Sequence, residues 1–204
     1  MGRDFGALLA DTPCWNRYTQ RLYDETGVPL QDVTLQCREE LIGLCEFIDR
    51  NAIRSYLEIG VWTGRLTTVL NEIFNFDLVA GCDLGFAESL GLDIRLPFGT
   101  KFFHGDSHSD AFVAWRHDLG HIDLVMIDGD HSYGSVSLDW AINRAFSHRF
   151  IAFHDITGTD PNCIGVKKLW NEIGGEKSTI IKPNRELGLA YSTMGIGIVA
   201  APVR

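Results

Sequence analysis

The sequence has no long hydrophobic run. None of its 204 residues lies in an uninterrupted apolar tract of about 18 residues or more, which excludes a membrane-spanning helix of ordinary length. Residues 1–10 carry Asp4 inside a short apolar patch and lack the charged-then-apolar layout of a secretion signal. We therefore predict a soluble, cytoplasmic protein that has no membrane as partner.

Paired cysteines are also lacking. The five cysteines are odd in number, widely scattered and without any C-x-x-C spacing, which argues against a disulfide framework; they are Cys14, Cys37, Cys45, Cys82 and Cys163. Reduced thiols that pack in the interior fit this pattern best, and we assign none of them a catalytic role.

Positive charge is scarce. The chain has 18 Lys and Arg against 27 Asp and Glu, a formal net charge of −9. An acidic chain of this kind is poorly suited to the phosphate backbone of a nucleic acid or to an anionic membrane. We expect a small-molecule substrate instead, and the sequence leaves open whether the protein forms a homo-oligomer.

The order of apolar segments indicates an α/β fold. Seven short apolar segments read as strands, at residues 55–60, 78–83, 101–107, 122–127, 149–155, 178–182 and 194–200. Helical spacing predicts intervening helices at residues 34–50, 66–74, 110–119, 133–146 and 165–173. We predict a single Rossmann-like, doubly wound sheet, mostly parallel. The last two strands have no helix between them, which suggests an antiparallel edge strand.

The chain length fits one domain, because single cores commonly extend to about 250 residues. We assign residues 34–204 to this domain and residues 1–33 to an amino-terminal segment that mixes aromatic and charged side chains. That segment could be a cap or lid over the site, or a dimer contact. The sequence does not decide between these roles.

Acidic residues follow the predicted strand at residues 122–127. Asp128, Asp130 and His131 surround Gly129, between that strand and the next helix. Ligands of open α/β sheets bind at the carboxyl ends of strands, so these residues are candidates for chemistry. The alternative is that Asp130 or Ser132 only caps the helix, which explains one acidic residue but not the whole group.

A second set of residues points to a nucleoside-containing ligand. Gly60 and Gly64 lie between a strand and a helix, but they do not complete the G-x-G-x-x-G dinucleotide pattern. Glu58 precedes them, which suits a cationic ligand better than a pyrophosphate. Asp83, at the next strand end, could accept both ribose hydroxyls, and Asp106 with Ser107 could reach an adenine; all of these lie at successive strand ends.

These residues resemble the cofactor site of the class I methyltransferases that use S-adenosylmethionine. The order of elements agrees over nearly the whole chain. The segment from Ile127 to Tyr133 and the pair His154-Asp155 are similar to a metal-dependent branch, the macrocin and novobiocin-sugar O-methyltransferases, with cephalosporin-hydroxylase-like proteins as relatives. Residues 165–170 and 194–199 are similar to the closing segments of that branch.

The resemblance implies roles for single residues. Asp128 and Asp155 carry over as ligands of a divalent metal, and Asp130 as the general base, with His131 as a competitor for that role. His154 departs from the acidic pair of the relatives. Magnesium is the first expectation, and manganese or another ion follows if His154 is a ligand, because magnesium prefers oxygen ligands.

The implied reaction is methyl transfer to a hydroxyl of a sugar or natural product. A cation on the acceptor oxygen lowers its pKa so that a base can remove the proton. Alternatives are a phenolic or catechol acceptor, an oxidation of the hydroxylase-like kind, and a non-catalytic partner subunit that binds the cofactor.

Overall fold

The computed structural model describes residues 2–14, 27–185 and 188–202. Its helices are α1 Phe5–Leu8, α2 Arg38–Arg50, α3 Arg65–Phe74, α4 Phe86–Ser89, α5 Asp110–Asp118, α6 Tyr133–Asn143 and α7 Ile164–Glu172, with 3-10 turns at Leu30–Asp32 and Pro161–Cys163. Its strands are β1 Ser55–Ile59, β2 Leu78–Asp83, β3 Lys101–His104, β4 Ile122–Ile127, β5 His148–Phe153, β6 Lys177–Ile180 and β7 Ile196–Ala200. Within these ranges no helix combines the length and apolarity that crossing a bilayer requires.

The seven strands form one sheet in the order β3-β2-β1-β4-β5-β7-β6. The five strands β1 to β5 pair in parallel, and β7 runs antiparallel between β5 and β6. This confirms the predicted Rossmann-like sheet, mostly parallel with an antiparallel edge region. The described residues between β6 and β7 include no helix, and strands joined without a crossover helix can pair antiparallel.

Both faces of the sheet are covered, as the apolar run of β4, broken only by Asp123, predicts. Leu124 and Met126 of β4 pack into a core with α2 and α3. Val125 and Ile127 point to the other face, where they join side chains from α5, α6 and α7. Every residue of β4 is buried, so this strand is fixed between two layers of helices.

Element boundaries differ from the predicted ones mainly where polar groups hold the chain extended. Helix α2 begins at Arg38 instead of residue 34, because the Thr34 N–H donates to the Pro13 carbonyl over 2.9 Å and Cys37 is extended. Residues 84–99 form the predicted loop, with α4 as its single helical turn. Part of the predicted amino-terminal segment, residues 15–26, lies outside the described residues.

Candidate functional site

The register of the sheet brings three strand ends to one edge. Strand β4 pairs with β1 on one side and with β5 on the other. The Asp128 N–H donates to the Ile59 carbonyl over 2.8 Å, and the His154 N–H donates to the Ile127 carbonyl over 3.2 Å. The segments after β1, β4 and β5 therefore leave the sheet side by side.

Asp128, His154 and Asp155 form a compact group at this edge. The His154 Nδ1 lies 3.2 Å from Asp128 Oδ1 and 3.2 Å from Asp155 Oδ2. The three side chains can offer ligand atoms that all lie within 4.8 Å of one another. They are shielded from solvent, with His154 only 2% exposed. The structure therefore places His154 between Asp128 and Asp155, the two residues that the resemblance implies as metal ligands.

Asp155 has a backbone conformation that is uncommon outside glycine, although Asp adopts it more readily than most residues. Its φ is +62°, in the left-handed region, directly after the last residues of β5. Such conformations cost of order 1–3 kcal/mol and are commonly found at functional sites. The turn is held by the Gly158 N–H, which donates to the Asp155 carbonyl over 3.2 Å. This turn directs the carboxylate of Asp155 towards His154.

The two candidates for the base occupy different surroundings. His131 Nε2 lies 3.4 Å from Asp128 Oδ1 and 3.5 Å from Asp155 Oδ2, so the ring contacts the group of Asp128, His154 and Asp155, here called the acidic group. Asp130 is exposed and accepts hydrogen bonds from the backbone and side chain of Ser132, each over 3.0 Å. Ser132 itself caps α6. Geometry therefore favours His131 over Asp130, which supports the start of the helix.

The opposite charges at this site lower the pKa of Asp128 and raise the pKa values of His131 and His154. Burial by itself would raise the pKa of Asp128, but the neighbouring His154 and His131 hold it well below its usual range. Burial would lower the pKa of His131, but its hydrogen bonds to Asp128 and Cys163 raise it to about 10. The pKa of His154 is likewise raised well above its usual value by Asp128 and Asp155, against the effect of burial. A divalent cation would have to displace these protons.

Hydrogen bonds to Ser135 and Ser132 hold the pKa of Asp130 below its usual value. An exposed carboxylate with a lowered pKa is a weak proton acceptor at neutral pH. Asp130 is therefore poorly suited to take a proton, whereas His131, with its pKa raised to about 10, would first have to lose its own.

Two buried side chains contact this group and were missed in the sequence. Gln36 Nε2 donates to Asp128 Oδ2 over 3.1 Å, and its Oε1 is buried without a hydrogen-bond partner among the described residues. Cys163 Sγ lies 3.5 Å from His131 Nδ1. Both contacts join segments far apart in the chain, so no local pattern could have indicated them.

At Gly60 and Gly64 other backbone atoms lie so close that a side chain would clash with them. Gly60 has a φ of +87°, and a Cβ there would lie 2.4 Å from the Asp128 carbonyl oxygen. Gly64 has a φ of +81°, and a Cβ would lie 2.3 Å from the Arg95 carbonyl oxygen. The sequence suggested that these glycines give a ligand close access to the backbone. Protein atoms occupy the space beside them, so the two glycines alone do not locate a ligand.

Glu58 is buried in β1, with its carboxyl group directed towards α3. Thr67 Oγ1 donates a hydrogen bond to Glu58 Oε2. Burial raises the pKa of Glu58 to about 8, although the hydrogen bond from Thr67 acts in the opposite direction. In the protein alone Glu58 therefore stabilises the connection between β1 and α3, and a cationic ligand nearby would favour its ionised form.

Asp83 joins the end of β2 to the turn after β1. Its Oδ2 accepts the Trp62 N–H over 2.9 Å, and its Oδ1 accepts the N–H groups of Gly85 and Phe86 over 2.7 and 3.3 Å. A carboxylate offers about four acceptor positions, so these three bonds leave capacity for a ligand hydroxyl. Asp83 is thus placed as the sequence predicts, with an additional structural role.

Asp106 and Ser107 follow β3 and differ in their partners. Asp106 accepts the His108 N–H over 2.9 Å and is mostly exposed. The Ser107 hydroxyl donates to Asp139 Oδ1 over 2.7 Å, and His108 Nε2 lies 3.2 Å from the same oxygen. Asp139 was also missed in the sequence. Its position three residues after Val136, on the buried face of α6, was the available signal.

Comparison with solved structures shows the fold of the chain. An O-methyltransferase from Bacillus cereus in complex with SAH superimposes with a TM-score of 0.55 and 15% identity, over 98% of this chain and 92% of that one. The O-methyltransferase TomG of tomaymycin synthesis from Streptomyces achromogenes, in complex with SAM, gives a TM-score of 0.55 and 15% identity over 98% and 91%. Magnesium protoporphyrin IX methyltransferase from Synechocystis, with bound SAH, gives 0.51 and 14% over 89% and 92%. No protein-family model matches, and no curated protein matches significantly by sequence.

Proposed function

We propose that the protein is an S-adenosylmethionine-dependent O-methyltransferase that acts, with a divalent metal, on a hydroxyl of a small molecule such as a sugar or natural product. The observation that carries the proposal is the group of Asp128, His131, His154 and Asp155, at the carboxyl edge of the sheet and directly beside the turn that contains Gly60. The fold is that of methyltransferases crystallised with SAM or SAH. The proposed setting is the cytoplasm, with neither nucleic acid nor membrane as partner.

The cofactor half of the site would lie over the ends of β1, β2 and β3. In this proposal Glu58 faces the ammonium group of the cofactor, and the free acceptor capacity of Asp83 takes a ribose hydroxyl. Asp106, whose carboxylate is mostly exposed, is available to the adenine together with the backbone of Ser107. Gly60 and Gly64 set the shape of the turn that these residues flank.

The donor set of Asp128, His154 and Asp155 fits a divalent cation. Two carboxylates and one imidazole nitrogen, His154 Nδ1, converge there. An imidazole in the set favours manganese, iron or zinc over magnesium, which prefers oxygen ligands. A cation held there would lower the pKa of the acceptor hydroxyl and disfavour the protonated form of His131.

His131 would then take the proton of the acceptor hydroxyl. The ring lies at the same edge and is half-buried, with its Nε2 directed towards Asp128 and Asp155. The cofactor would supply a sulfonium methyl group, which would pass to the deprotonated oxygen and leave S-adenosylhomocysteine. Positioning of the two reactants by the protein would provide much of the acceleration. For residues 1–33 both predicted roles stay open, a cap or lid over the acceptor or a dimer contact.

Thermal unfolding tests the cofactor assignment directly. SAH at about a hundred times its dissociation constant should stabilise the protein by about 2.7 kcal/mol, because it binds only the folded state. NAD at the same concentration should produce no shift. The measurement is the melting temperature with each ligand, with and without manganese or magnesium. No shift with SAH would contradict the proposed function, and a larger response to manganese than to magnesium would support His154 as a ligand.

A pair of single substitutions tests the base. His131→Asn should reduce kcat by about a hundredfold or more, the contribution typical of a general base, while SAH affinity stays within a few-fold. Asp130→Asn should change kcat less than about threefold, since its carboxylate supports only the start of α6. Methyl transfer from labelled cofactor, measured at saturating metal, distinguishes the two. A large loss in Asp130→Asn with an active His131→Asn would reverse the assignment.

One observation favours a second function, an oxidation of the hydroxylase-like kind. Asp128, His154 and Asp155 together offer one imidazole and two carboxylates, a donor set that can also hold iron. Mass analysis of the product separates the two reactions, because methyl transfer adds a CH₂ unit and hydroxylation adds an oxygen atom. SAH binding without turnover of any acceptor would instead support a non-catalytic partner subunit. A phenolic acceptor would serve the same chemistry as a sugar hydroxyl.

A further inference from the structure

A second potential ligand set lies beside the proposed metal site. His131, Asp155 and Cys163 can offer ligand atoms that all lie within 4.8 Å of one another. The thiol of Cys163 is buried, with 6% of the residue exposed, where the 3-10 turn at Pro161–Cys163 leads into α7. Nothing in the proposed methyl transfer uses this thiol.

The spacing of thiol and imidazole is the one that a shared zinc ion would require. Zinc binds sulfur at about 2.3 Å and imidazole nitrogen at about 2.0 Å in tetrahedral geometry, which separates two such ligands by about 3.5 Å. Cys163 Sγ and His131 Nδ1 lie 3.5 Å apart. A cation could therefore replace the proton between them without a change in their separation.

The opposite nitrogen of His131 has the partner that metal-bound histidines usually have. Imidazoles that bind a metal through one nitrogen commonly donate the other N–H to a carboxylate, which fixes the ring. His131 Nε2 lies 3.4 Å from Asp128 Oδ1 and 3.5 Å from Asp155 Oδ2. Asp128, which is not part of this second ligand set, thus orients His131 Nδ1 towards Cys163.

Close backbone packing holds the two segments together. A Cβ at Gly165 would lie 2.4 Å from the His131 carbonyl oxygen and 2.3 Å from the Tyr133 backbone nitrogen. The start of α7 and the segment after β4 therefore touch through their main chains. Such contact fixes Cys163 and His131 relative to each other, which lowers the conformational cost of binding an ion.

We propose that Cys163, His131 and Asp155 form a second cation site, specific for thiophilic ions of the zinc class and adjacent to the site of Asp128, His154 and Asp155. Binding would release the thiol proton, because the thiolate is the ligand form of cysteine. The inference deepens the proposed function, since zinc here would hold the imidazole that serves as base and would inhibit methyl transfer. The ion-binding property itself needs neither cofactor nor acceptor.

Cobalt(II) is a suitable probe, since it replaces zinc and absorbs in the near ultraviolet when bound to a thiolate. The full-length, metal-depleted protein should develop a sulfur-to-cobalt charge-transfer band on titration with cobalt, and zinc should abolish that band by displacement. Cys163→Ser should lack the band and bind zinc at least about tenfold more weakly, a loss that even an outer contact of a metal site can cause. Absence of the band in the unmodified protein would overturn the proposal.

Cys37→Ser is the matched control. Cys37 is also buried, but it contacts Glu39 and the Pro183 carbonyl and belongs to neither ligand set. Its variant should keep the band, and persistence of the band in Cys163→Ser would overturn the assignment of the ligand. Melting temperatures of both variants establish that they are folded. SAH binding, measured separately, distinguishes failure of the zinc site from failure of the proposed function.

Discussion

Asp128→Asn should reduce metal-dependent methyl transfer by about a thousandfold while SAH affinity stays within a few-fold. Asp128 contacts both imidazoles and lies in the proposed ligand set, so its charge is central to holding a cation. Loss of a cation that stabilises the reaction by about 4 kcal/mol corresponds to that factor. Asparagine keeps the size of the side chain and can still accept the hydrogen bond from Gln36. The measurement compares turnover of labelled cofactor with SAH binding by calorimetry.

Asp130→Asn is the control for this experiment, because it makes the same chemical change two positions later at an exposed carboxylate. It should retain most of the activity. A collapse of SAH affinity in Asp128→Asn would contradict the division of the site into a cofactor half and a metal half. Equal losses of turnover in both variants would mean that the segment after β4 acts through its net charge rather than through one ligand.

The sheet and the convergence of acidic strand ends could be predicted because each depends on short-range patterns. The apolar run of β4 is buried on both sides, and parallel strands necessarily bring their carboxyl ends to one edge. The parallel pairing of β4 with β5, which the structure shows, then places Asp128 beside His154 and Asp155. Their contact follows from topology, and the structure adds the 3.2 Å distances.

The choice between Asp130 and His131 depended on a turn that sequence patterns do not specify. The two residues are adjacent, and each could have faced the acidic group. Asp130 instead accepts hydrogen bonds from the backbone N–H and the side-chain hydroxyl of Ser132. The predicted helix-capping role falls to Ser132, and Asp130 supports that cap by bonding to the backbone two residues ahead, as short polar side chains before helices often do. Helix capping does not account for the positions of His131 and Asp128.

Contacts between residues far apart in the chain could not be predicted from sequence patterns. Gln36 meets Asp128 across 92 positions and Cys163 meets His131 across 32. Cysteine is commonly a small packed side chain, so packing was the reasonable expectation for Cys163. Its burial agrees with that expectation, but its position beside an imidazole is set by tertiary packing of α7 against the segment after β4.

Gly60→Ala should destabilise the protein by about 3 kcal/mol or more, combining a left-handed backbone conformation with overpacking. Its φ is +87°, and the added Cβ would lie 2.4 Å from the Asp128 carbonyl oxygen and 2.5 Å from the Gly129 Cα. Both neighbours are backbone atoms, so no side-chain rotation relieves the clash. Urea denaturation, followed by circular dichroism, measures the loss.

Gly91→Ala provides a matched control, because Gly91 has a φ of +76° but no atom lies within 4 Å of the added Cβ. We expect Gly91→Ala to destabilise the protein by about 1–2 kcal/mol, the cost of the left-handed backbone conformation alone. The difference between the two variants therefore isolates the contact of the β1 turn with the segment after β4. If both variants lose the same stability, that turn can move away from Asp128. The cofactor and metal halves of the site would then be joined flexibly, and the fixed geometry required for in-line methyl transfer would have to come from the bound ligands.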